Sequence, residues 1–133
     1  MMGKRNSIQA EDGSTLIEFA LVLTLLLTLT FGMIDLARYV YTVSVVRAAA
    51  QEGARAGVID QADAEDVQDA AYDKIVGLDP DQVAVDLLTP FPLSDEATVE
   101  VQVTYPFEFV TPFLAAAIGG PVLIEGTASM AAY

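Results

Sequence analysis

With 133 residues there is room for one small domain beside a membrane segment, but not for two separate cores. Six basic against nineteen acidic residues leave a net charge of −13, so no nucleic-acid partner is expected, because phosphate binding requires clustered Lys and Arg. Cysteine and histidine are absent, which excludes disulfides, thiol catalysis, His-based zinc sites and any Ser-His or Cys-His nucleophile.

The chain opens on a hydrophilic stretch, residues 1–13, with Lys4 and Arg5 followed by Glu11 and Asp12 and no apolar periodicity. From Phe19 to Ile34 there are sixteen residues without a charge, rich in Leu and Thr. Glu18 stands at the mouth of this run. A carboxylate inside hydrocarbon costs about 2.5–3.5 kcal/mol on insertion scales, so an acid kept there is a candidate for a task. Residues 14–34 number twenty-one, or about 31 Å of helix, enough to cross a bilayer with little tilt. Lys4 and Arg5 place the N-terminus in the cytoplasm and the C-terminal domain outside the cytoplasmic (inner) membrane. An ordinary cleaved signal peptide fits poorly: acids separate the basic pair from the apolar core, and no proline or break follows it.

No proline interrupts residues 15–58, so one helix of roughly 65 Å is expected, its second half projecting beyond the membrane. Small residues at Ala20, Thr24, Thr28 and Gly32 make a stripe that either admits a neighbouring helix or is simply tolerated in lipid. Asp35 with Arg38, and Glu52 with Arg55, are spaced for pairing on one helix face and read first as a solvated surface. Ala49, Gly53 and Gly57, flanked by Ala50, Ala54 and Ala56, form a low-profile face. A glycine inside a helix costs about 1 kcal/mol relative to alanine, which close packing against the backbone would offset.

Residues 59–133 are expected to form the exported domain. Asp60 or Asp63 caps a second helix running to Val76, with Glu65 and Asp66 at its positive end, Ala64, Val67, Ala71 and Ile75 on one face, and Gly77 to end it. A turn follows at 78–81, then a short strand through Val83, Val85 and Leu87, then a loop at Pro90-Phe91-Pro92. Val99, Val101, Val103, Tyr105, Phe107 and Phe109 alternate with polar residues in the clearest strand, where Pro106 points to an edge or a bulge. Thr111-Pro112 opens a short helix through Ile118, ended by Gly119-Gly120. Val122–Ala132 is the last strand, with Gly126 a candidate bulge. The predicted fold is α+β: a long membrane-spanning helix leading into an amphipathic helix and a three- to four-stranded antiparallel sheet, covered by the small-residue face of the long helix.

Gly13-Ser14 followed by Glu18-Phe19, the Glu52-Gly53-Ala54-Arg55 segment, Thr104-Tyr105-Pro106-Phe107, Thr111-Pro112 and Gly119-Gly120-Pro121 together resemble the TadE-like pseudopilins of the tight-adherence branch of type IV filament systems. The first of these motifs is shared by many pilins. The others make the narrower likeness, and the larger TadG-type proteins carry an additional domain for which this chain is too short. The resemblance implies a minor pilin-like subunit of an adhesive filament, cut after Gly13 by a prepilin peptidase. Its other partners would be pilins and pseudopilins of the same system, the inner-membrane assembly platform and the lipid bilayer, with no cofactor. It also implies that Glu18, fifth after the cut, meets the new ammonium on Ser14 of a neighbouring subunit. Unit charges about 4 Å apart attract by about 4 kcal/mol at an effective dielectric near 20, before desolvation. A plainer reading has Glu18 snorkelling at the cytoplasmic interface.

An enzyme is not expected. Asp60, Asp63, Glu65, Asp66 and Asp69 lack the glycine and terminal glutamate of a calcium loop, and a cap plus a solvated face explains them. The rival class is a single-pass, membrane-anchored extracytoplasmic binding module unrelated to pili, which would retain residues 1–13.

Overall fold

The computed structural model describes residues 6–59, 62–90 and 98–131, with the side chains of the first helix described from Gly13 onward. That helix, α1, runs unbroken over Asn6–Gly57. Its 52 residues correspond to about 78 Å, longer than expected because the helix also takes in much of the hydrophilic N-terminal stretch. The expected boundary at Gly13 is therefore not a break in backbone structure.

α2 spans Ala64–Asp73. Asp63 caps it, accepting hydrogen bonds from the Glu65 and Asp66 amides while the Asp66 carboxylate accepts from the Asp63 amide. Asp60, the alternative cap, lies outside the described residues. The helix ends at Asp73, short of Val76. Beyond it the Tyr41 hydroxyl donates to the Val76 carbonyl at 2.8 Å, and Gly77 turns the chain at φ +73°. Val67 and Ala71 are buried and Ile75 is half-buried, whereas Ala64 stays exposed.

A single 3-10 turn, Pro80–Gln82, is capped by the Asp79 carboxylate and delivers the chain to β1, Ala84–Leu87. β2 covers Thr98–Phe107 and β3 covers Val122–Ala131, separated by the short helix α3, Pro112–Ile118. The sheet is antiparallel in the order β1-β2-β3. Gly119, in the left-handed conformation, ends α3 as expected.

The unbroken register of this sheet overturns both expected bulges, while the edge expected at Pro106 holds only locally. β2 and β3 pair without interruption from Thr98↔Ala131 to Phe107↔Val122, so neither Pro106 nor Gly126 marks a bulge. β2 is also the central strand, not an edge. Pro106 is tolerated because β1 begins opposite Thr104, leaving the last residues of β2 flanked on one side only. Phe109 lies beyond the strand but still packs by ring contact on Phe107. Phe91 and Pro92 of the expected loop, and Ala132, lie outside the described residues.

The core is one layer of small and β-branched side chains between α1 and the sheet, with α2 closing one side. Val99, Val101, Val103 and Ile124 face Val46, Ala49, Ala50 and Ala54 of α1 and Val67 and Ala71 of α2. Each buried valine contributes about 1.5–3 kcal/mol. The close approach explains the small residues. A Cβ on Gly57 would lie 2.8 Å from Val99 Cγ1, and one on Gly53 would lie 3.2 Å from the Val67 carbonyl. Gly126 is the counterpart on the strand: a Cβ there would lie 2.9 Å from the Val46 carbonyl and 3.0 Å from the Arg47 amide. Strand and helix backbones touch at that point, and this contact, rather than a bulge, is what the glycine serves.

Candidate functional site

The residues singled out by sequence fall into two groups that the fold keeps apart. Gly13, Ser14, Glu18 and Phe19 lie on the N-terminal half of α1, where no other described element packs. Every residue from Ser14 to Phe31 is exposed, including a succession of large apolar side chains. Ser14 and Glu18 are one helical turn apart and so share a face. Glu18 makes no hydrogen bond or ion pair among the described residues. The hydroxyls of Thr24, Thr28 and Thr30 each donate to the carbonyl four residues back, at 2.7–2.8 Å, which suits a helix with no water to satisfy them.

Two glycines in this half have no intramolecular reason to be glycine. A Cβ on Gly13 or Gly32 would meet nothing within 4 Å, in contrast to Gly53, Gly57 and Gly126.

The second group lies just beyond the apolar run. Asp35, the first residue past the 14–34 span, is fully buried, and its expected place on a solvated face is incorrect. The Val110 amide donates to its Oδ1 at 3.0 Å and the Thr111 amide to its Oδ2 at 2.8 Å. Arg38 completes the set, with Nη1 donating to Oδ1 at 3.1 Å and also to the Glu108 carbonyl at 3.3 Å. The Arg38 guanidinium lies 5.2 Å from the centre of the Phe107 ring, which Tyr39 and Phe109 meet edge-on. Residues 107–111 thus form a collar, with Asp35 as its pin.

Burial alone would raise the Asp35 pKa. The Thr111 hydroxyl, the Val110 and Thr111 amides and Arg38 outweigh it and bring the carboxyl from 3.8 down to about 2. That hydroxyl is near enough to favour the charge, yet it meets strict hydrogen-bond geometry with no partner. The covering is thin, since Arg38 is itself 46% exposed.

Glu52 and Arg55 do not pair; Asp35 with Arg38 is the only ion pair among the described residues. An exposed pair gains little over separate hydration, and Arg55 already complements the C-terminal dipole from the last turn of α1. Ala49, Gly53 and Gly57 are all buried, as their composition required. What sequence reasoning missed was the collar. The signal was present: Asp35 is the acid closing the run that Glu18 opens, and the cost of an acid applies at both ends.

Comparison with known proteins bears on the same helix. A family model described as TadE-like protein matches residues 13–55. Over those residues, the chain is TadE-like. The TadE-like stretch begins at Gly13, takes in the apolar run and the Asp35 pin, and stops at Arg55 within the small-residue face. The downstream segments that entered the resemblance, from Thr104 to Pro121, lie outside it. No curated protein and no solved structure matches the chain. α1 is also long and apolar enough to cross a membrane, with none of its most apolar window buried inside the chain. It supports a single-pass membrane anchor.

Proposed function

We propose that this protein is a minor pilin-like subunit of a tight-adherence pilus system, with a structural rather than catalytic role in assembling an adhesive filament. The observation that carries this reading is the N-terminal half of α1: residues 19–34 carry no charge, their large apolar side chains are exposed, and the helix is continuous with a folded domain. Such a helix has two available environments, the bilayer before assembly and a bundle of like helices after it. The TadE-like match supports the same role, beginning at the glycine after which a prepilin peptidase would cut.

In this mechanism the N-terminus lies in the cytoplasm and the domain lies outside the inner membrane. Cleavage after Gly13 frees an ammonium on Ser14, which a neighbour's Glu18 meets as the helix leaves lipid. A Cβ on Gly13 would meet nothing among the described residues, which fits a position open to a peptidase. α1 is helical across this point, so the peptidase must unwind about one turn to reach an extended bond.

N-terminal sequencing of the protein from its native host tests the reading. A mature chain beginning at Ser14 is expected, and Glu18→Ala should insert normally but fail to support filament assembly. A chain that keeps residues 1–13 in the presence of an active peptidase would instead favour the membrane-anchored binding module.

A further inference from the structure

In a chain of net charge −13, the stretch from Phe109 to Ile124 carries no charge over sixteen residues. It comprises the collar's end, α3 and the start of β3. α3 has no buried residue. Seven residues are too few to sustain a helix in water by propensity alone, so a helix this apolar requires a partner. Its surroundings are equally open: Val110 is 59% exposed, Phe113 70%, Ile118 49% and Leu123 64%.

The Asp35 pin fixes where this surface lies. The Val110 and Thr111 amides are bonded to the first residue beyond the apolar run, so α3 starts at the level where α1 leaves that run. Leu123 pairs with Pro106 at the same end of the sheet. On α1, Met33, Ile34 and Leu36 are exposed around this level, so the apolar surface of the span continues onto the domain.

We propose that α3 and its flanks form a second membrane contact, with Val110, Phe113, Ile118 and Leu123 seated in the interfacial layer of the outer leaflet around the exit of α1. The occupant is lipid because the surface is continuous with the span. It is also the longest acid-free stretch of the domain, and the carboxylates elsewhere on its surface would be costly to desolvate at a lipid interface. The proposal rests on residues 14–34 being the membrane span.

The chain contains no tryptophan, so one introduced indole reports on one place. Full-length Phe113→Trp, Leu25→Trp and Met130→Trp are compared in phosphatidylcholine vesicles carrying bromine either near the headgroup or deep in the acyl chains. Phe113→Trp is expected to lose about half of its emission to shallow bromine and less to deep bromine, as an interfacial aromatic does. Leu25→Trp should be quenched most by deep bromine, and Met130→Trp, at the other end of β3, by neither. An unquenched Phe113→Trp beside a quenched Leu25→Trp overturns the second contact and leaves the anchor standing. Neither being quenched overturns both. Emission from Phe113→Trp that is blue-shifted but unquenched, and that reddens as protein is diluted into lipid, overturns the proposal by showing that a second copy covers this face.

Discussion

The two halves of α1 are built from one uninterrupted backbone, yet they are held helical by different means. Residues 35–57 bury one helix face, from Asp35 through Thr42, Val46, Ala49, Ala50, Gly53 and Ala54 to Gly57, against a sheet and a second helix. Residues 14–34 bury no side chain against the described residues and place large apolar groups all round, the pattern of a helix whose solvent is lipid or other helices. The same residue type therefore has opposite meanings in the two halves. A glycine near the sheet marks intramolecular contact already made, whereas a Cβ on Gly13 or Gly32 in the bare half would meet nothing among the described residues.

The largest expected effect sits at the border. Asp35→Ala strands the Val110 and Thr111 amides without their acceptor and leaves Arg38 unpaired, which should cost about 3 kcal/mol of domain stability in detergent melts. A loss below about 1 kcal/mol would mean that water replaces the carboxylate and that the collar is not pinned.

Next comes the glycine contrast. Gly126→Ala forces strand and helix backbones apart and should destabilise by about 1–3 kcal/mol. Gly32→Ala should be neutral or stabilising by up to about 1 kcal/mol in the same melt, since its added methyl meets nothing. Equal effects of the two substitutions would erase the distinction between the halves.

The border also carries an acid sensitivity. The folded Asp35 carboxyl titrates at about 2 against an ordinary 3.8, so the unfolded chain takes up its proton first as pH falls. The stabilisation from this group is complete above 3.8 and is lost as pH drops toward about 2. In stability curves of the wild type and Asp35→Asn, the gap between the two should be constant at neutral pH and narrow across that window.

Much of this architecture could be read from residue order because the signals were local. Alternation from Val99 to Phe107 predicts the strand, Asp63 with Asp66 the capped helix, and the small-residue face at Ala49, Gly53 and Gly57 the docking of sheet on helix. The errors involved relations between distant segments. Pro106 argues for an edge, but whether a strand is central depends on where β1 begins. Gly126 looks like a bulge until its neighbour proves to be the backbone of a helix eighty residues earlier in the chain. Asp35 and Arg38 have ordinary helix spacing, and only the return of residues 107–111 turns a surface pair into a buried one. Of the candidate assembly residues, Gly13 and Glu18 stand out in sequence beside an apolar run, and the fold of the described residues gives them no partner.

An unhinged rod that passes from bilayer to domain also fixes azimuth. Each helical residue advances about 1.5 Å and turns about 100°, so the direction in which the sheet faces is geared to the direction in which Glu18 points. Neighbours that settle their register at one end thereby settle which surfaces meet at the other. An extra residue between Ile34 and Asp35 would leave both ends chemically intact and facing the wrong way relative to each other.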